Sequence, residues 1–224
     1  MAIISHKHKL IILRTPKTGS SSFHLSIVDS GILGKDDSYT GLNVMFQGER
    51  KGNYDAKKFY RHSTPTMLFK KELITEEELH SYTKIITIRN PIERYISSFF
   101  FTKKLRRKSS GLVILKKHIK GRRAAQLDGS LGPRQSTFFK HDDEYLENMV
   151  VVPTPRIDDC VEHLIDKYNG KIIKHQLKSD IKPDWAKPHY TEWLEQEYID
   201  IIENFLEKEI QEYQYVMANN QYKI

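Results

Sequence analysis

Lys17-Thr18-Gly19-Ser20-Ser21-Ser22 gathers a cation, a glycine and four hydroxyls into one short run, the residue types that surround a phosphate or sulfate. Small side chains let the backbone approach an anion closely, and Lys17 adds charge. A second concentration begins at Arg89-Asn90-Pro91 and continues to Arg94 and Ser97. Asn90, Arg94 and Ser97 recur at helical spacing and share a face, so an Arg89 guanidinium fork and the Ser97 hydroxyl can grip one phosphate. Taken alone, a Lys-Thr-Gly-Ser segment is equally a capped turn, and it is the second cluster that favours an anion site. Neither is a Walker A loop, in which a lysine directly follows the last glycine; Lys17 precedes Gly19.

Both clusters need a strand before them and a helix after them, because the first amides of a helix are unpaired donors at the positive end of its dipole. Lys9 to Leu13 is a short apolar run suited to a buried parallel strand. Phe23, Ile27 and Val28 then follow at helical spacing up to Gly31, a natural stop. Tyr82 to Ile88 predicts a second central strand, ended by Arg89-Asn90-Pro91, which caps a helix running through Phe101. Between them, Gly31 to Asn53 reads as loops and Ala56 to Arg61 as a short strand. Thr64-Pro65 opens a helix, and Thr75 to Glu78 has a capping-box signature. Later, Met149 to Val152 predicts a strand and Asp158 to Tyr168 a helix closed by Asn169-Gly170. A long amphipathic helix from about Thr191 to about Glu212 is expected to pack on the sheet.

With 224 residues, 38% of them hydrophobic and 11% aromatic, the chain can enclose one core, and a single domain over 1–224 is expected. The fold class that follows is three-layer α/β, P-loop-like, with a mostly parallel central sheet flanked by helices. A formal charge of +7 implies a surface that attracts anions without choosing among them. Lys103 to Arg123 holds ten Lys or Arg residues and no acid; it is expected to be mobile or acceptor-facing, as a solvated face or a polyanion-binding strip. Cys160 is the sole cysteine, which excludes an intrachain disulfide. Met1 to Leu10 lacks the apolar run of a signal peptide or anchor, so a soluble, cytoplasmic protein with no membrane contact is expected.

Pro16 to Phe23, together with Arg89-Asn90-Pro91, Arg94, Ser97 and Phe99, resembles the two nucleotide motifs of the sulfotransferases of the carbohydrate type, in particular the uronosyl 2-O-sulfotransferase-like branch. That resemblance implies 3′-phosphoadenosine 5′-phosphosulfate (PAPS) as donor and a free hydroxyl, of a glycan, as acceptor. It implies that Lys17 contacts the bridging or leaving oxygen and that Thr18, Gly19, Ser20, Ser21 and Ser22 hold the 5′-phosphosulfate. Arg89 and Ser97 would hold the 3′-phosphate, and His62 falls where that branch has its histidine base.

Sulfuryl transfer to an alcohol needs a base for the proton, positive charge near the leaving group, and in-line placement. His62 and Lys17 meet the first two needs, with Glu49 and Asp55 as reserve bases. Sulfuryl carries less charge than phosphoryl, no Asp-rich magnesium site is present in the sequence, and no metal is predicted. Arg94 reads as a brace for the loop carrying Arg89, or as the partner of Glu93 or another acid. Two other readings compete: an atypical P-loop small-molecule or nucleotide kinase, and a non-catalytic polyanion-binding module.

Overall fold

The computed structural model describes residues 2–33, 37–39, 45–46, 49–50, 62–103, 108–120, 134–171, 186 and 189–219. Its central sheet has strands β1 (Ala2–Ser5), β2 (Leu10–Leu13), β3 (Ser38–Tyr39), β6 (Thr83–Ile88) and β9 (Met149–Pro153), in the order β3-β1-β2-β6-β9. Two small hairpins lie outside it, β4 (Met45–Phe46) with β5 (Glu49–Arg50), and β7 (Lys140–His141) with β8 (Glu144–Tyr145). β2 pairs in parallel with β6, and β6 with β9, while β1 runs antiparallel to both β2 and β3. Four strands therefore point one way and β1 opposes them, as a mostly parallel sheet requires.

Alternate side chains of these strands enter opposite cores, the period-two pattern of a sheet covered on both faces. Ile11, Leu13, Ile86 and Ile88 face Leu68 of α2 (Pro65–Lys70) and Leu79 of α3 (Glu76–Ser81). Leu10, Ile12 and Ile85 face the other way, toward Phe23 and Ile27 of α1 (Ser20–Asp29) and Leu164 and Ile165 of α6 (Ile157–Lys167). Burial of each such side chain is worth about 1.5–3 kcal/mol before chain entropy is counted. Lys84 looks out of place in the central strand, but its ammonium donates to the carbonyls of Leu79 (2.7 Å) and His80 (3.3 Å) at the end of α3. Burial holds its pKa down at about 8.

The predicted helix starts carry the expected caps. The Thr64 hydroxyl accepts from the amide of Met67 at 3.3 Å with Pro65 in the first turn, and Thr75 and Glu78 close a reciprocal capping box. At the end of α6 the left-handed residue is Asn169 (φ 54°), while Gly170 is needed for close approach: a Cβ there would lie 2.3 Å from Ile32.

Several expectations are corrected. Ala2–Ser5 is a sheet strand, too short to read locally and stabilised by β2 and β3 on either side. Within the basic stretch Lys108–Lys120 forms helix α5, an element the sequence reading did not assign. The last helix, α7, spans Gln196–Asn219, and its first half packs on α4 (Pro91–Lys103) and α5 through Tyr198, Ile199, Ile202 and Leu206. Only toward its end does Val216 reach the sheet-face cluster. The strand expected at Ala56 to Arg61, Asp55, and most of Gly31 to Asn53 lie outside the described residues. Among the described residues no helix is long and apolar enough to cross a membrane.

Candidate functional site

The first bend leaves β2 at Arg14 and enters α1 at Ser20. Lys17 (φ 64°) and Gly19 (φ 79°) both take left-handed backbone, an uncommon conformation for a lysine and one that collects near functional sites. Gly19 occupies the N-cap of α1 without a side-chain cap, so the first turn of the helix has no internal carboxylate or hydroxyl closing it. Thr18 and Ser20, read from sequence as hydroxyl donors, turn inward. The Thr18 hydroxyl donates to Thr15 O (2.9 Å) and meets the Thr87 hydroxyl (2.7 Å), while Ser20 donates to Thr15 O (2.7 Å). Neither hydroxyl is turned out of the bend, and the outward ones are those of the exposed Ser21 and the half-buried Ser22.

The second bend differs from expectation in one respect. Asn90 Oδ1 accepts from the amides of Ile92 (3.0 Å) and Glu93 (3.2 Å), so α4 is already capped and its leading amides are satisfied. The groups still open to a ligand at that bend are therefore side chains. Arg89 is oriented through its main chain, with its amide donating to Gln135 Oε1 and its carbonyl accepting from Gln135 Nε2, each at 2.8 Å. The Arg89 guanidinium donates to Glu93 Oε2 at 3.1 Å. Ser97, near the edge of burial at 9% exposure, lies two turns along α4.

The two bends are neighbours. Besides the Thr18–Thr87 contact, Arg94 Nε donates to Pro16 O at 3.0 Å across the gap. Thr154, just past β9, shares its hydroxyl between Thr18 O (3.0 Å) and Ile88 O (2.9 Å). Lys17 Nζ stands 3.9 Å from the centre of the Phe101 ring on α4. Desolvation, and then the nearby Arg89 charge, push the Lys17 pKa down to about 8. His62 joins the first bend from the α2 side: its Nδ1 lies 3.0 Å from Arg14 O. A carbonyl can only accept, so Nδ1 carries the hydrogen and Nε2 is the basic nitrogen of the neutral ring.

The sulfotransferase family model matches residues 1–169, which include both bends and His62. The chain belongs to the sulfotransferase family. No curated protein and no solved structure matches it.

In this sulfotransferase several residues that adjoin the two bends had escaped the sequence reading. Gln135 and Thr154 act through main-chain partners distant in sequence, and Phe101 faces outward (45% exposed) where its neighbours Phe99 and Phe100 are fully buried. Phe101 ends the run Phe99-Phe100-Phe101 on α4, and its contact with Lys17 sets it apart from the two buried rings. Arg94, read as a brace for the loop carrying Arg89 or as the partner of an acid, holds the first bend at Pro16 O instead of the second; it is 2% exposed and pairs with an acid, Glu209 of α7, at 2.7 Å.

The lowered Lys17 pKa gives a prediction with a definite sign. Anions favour the ammonium form, so affinity of the free protein for a nucleotide phosphate should be greatest below about pH 8 and fall as pH rises through that value. Lys17→Arg, which stays charged, should remove the alkaline fall; an unchanged profile in calorimetric titrations would assign the pH dependence to another group.

Proposed function

We propose that this sulfotransferase moves a sulfuryl group from PAPS to a hydroxyl of a carbohydrate acceptor. What supports the reading above all is the junction of the two bends through Thr18–Thr87 and Arg94–Pro16 O, which gives one bisphosphorylated nucleotide a place to be held at both ends. In the proposed step His62 Nε2 takes the acceptor hydroxyl proton as the alcohol oxygen bonds to sulfur. The bond from sulfur to the bridging phosphate oxygen breaks in line, and 3′-phosphoadenosine 5′-phosphate (PAP) leaves. Lys17 and the main chain of Thr18 to Ser22 offset charge developing on the 5′-phosphate, while Arg89 and Ser97 hold the 3′-phosphate.

Arg89 is held by Glu93 in the free protein, so a 3′-phosphate must outcompete a carboxylate. Calorimetry should nonetheless find PAP bound about tenfold or more tighter than AMP, as a charge-assisted phosphate contact is worth about 1.5–3 kcal/mol. Arg89→Ala should erase most of that difference. Equal affinities for AMP and PAP, or magnesium-dependent preference for ATP, would favour the kinase reading instead.

The polyanion strip contributes less charge than its composition suggests. Lys116 pairs with Glu195, and Lys120 lies 3.4 Å from Glu197. Among the α5 lysines whose side chains are described, the exposed Lys117 is the one proposed to meet an acidic acceptor.

A further inference from the structure

Glu209 lies in the apolar stripe of α7, one turn beyond the buried Leu206, and is itself 7% exposed. A carboxylate so placed is costly unless fully partnered. Its Oε1 accepts from Arg94 Nη1 at 2.7 Å, and from the amide and Nε2 of Gln135, each at 3.4 Å. Each of these partners has a second duty. Arg94 Nε donates to Pro16 O, the residue before Lys17, and Gln135 brackets the main chain of Arg89 with two bonds. One carboxylate oxygen thus stands behind both bends, and it comes from a helix beyond residues 1–169, the part that the family model matches.

We infer that Glu209 is a positioning residue for the donor site, setting the separation of Lys17 and Arg89 through Arg94 and Gln135. The inference rests on the proposed nucleotide site for its binding consequence, but not for its structural one. Mere docking of α7 is a separate matter: Lys140 and Glu212, 3.1 Å apart, tie the same helix to β7 and touch neither bend.

The test compares Glu209→Gln, Glu212→Gln and the double variant Arg94→Met/Glu209→Met in the full chain. Amide hydrogen exchange over residues 14–19 and 89–94 is read beside Tm and PAP affinity. Glu209→Gln should speed exchange at both bends and weaken PAP by roughly ten- to hundredfold, the range typical when a group that orients a binding residue is removed. Glu212→Gln should lower Tm without either change. The apolar pair should regain much of the Tm, since buried ion pairs are often replaceable by packed apolar groups, yet still exchange fast at Lys17 to Gly19, because the brace on the Pro16 carbonyl is gone. If Glu209→Gln exchanges like the parent at both bends, or Glu212→Gln disturbs them equally, Glu209 merely docks the helix and the inference is overturned. Should the parent itself not bind PAP, the functional reading fails, while the exchange comparison still decides the role of Glu209.

Discussion

His62→Asn is expected to lower kcat by about 10²–10⁴, the usual contribution of a positioned general base, with PAP affinity changed by no more than about threefold. The asparagine amide can still donate to the Arg14 carbonyl as Nδ1 does, so the loop keeps its tie, but nothing basic stands at the place of Nε2. Loss of turnover without loss of donor binding separates a base from a structural prop. Steady-state transfer of labelled sulfonate, alongside calorimetry with PAP, reads both quantities. A variant that turns over within about threefold of the parent would move the base elsewhere, with Glu49 and Asp55 next in line.

Lys17→Met should produce a comparable collapse, roughly 10²–10³ in kcat, because it deletes the positive charge proposed to offset the developing oxyanion and keeps the length of the stem. The ammonium is poised for this: it is partly desolvated, rests on the Phe101 ring and sits near enough to Arg89 to feel its charge. Methionine preserves the contact with the ring, and the backbone strain at φ 64° is the same for either side chain. The expected signature is therefore a fall in kcat larger than the loss of PAP affinity. Equal loss in both would make Lys17 a ground-state binder alone.

Much of this arrangement was legible because it is written locally. The runs Leu10–Leu13 and Thr83–Ile88 are β-branched or apolar enough to be buried strands, and Thr64, Thr75 with Glu78, and Asn90 announce helix starts by side-chain chemistry. Together with the Lys17 and Arg89 motifs these marked the parallel centre of the sheet and both bends, but not β1 or β3. Residues acting across the fold were harder to see. Gln135 meets Arg89 from 46 positions away, Glu209 meets Arg94 from 115, and Thr154 meets Thr18 from 136, and no periodicity encodes such pairings. One of them did leave a trace: Ile202, Leu206 and Glu209 recur at helical spacing, and a carboxylate in an otherwise apolar stripe demands a buried cation. The inward turn of Thr18 and Ser20 had no such trace, since a hydroxyl in a loop looks the same in sequence whichever way it points.

Thr154 carries a consequence for how the cleft can change. A single hydroxyl hydrogen is divided between the carbonyls of Thr18 and Ile88, so a shift of either carbonyl alters its hold on the other. Removing that hydroxyl, as in Thr154→Val, would release both carbonyls at once, so a single substitution outside either bend should loosen the pair of them together.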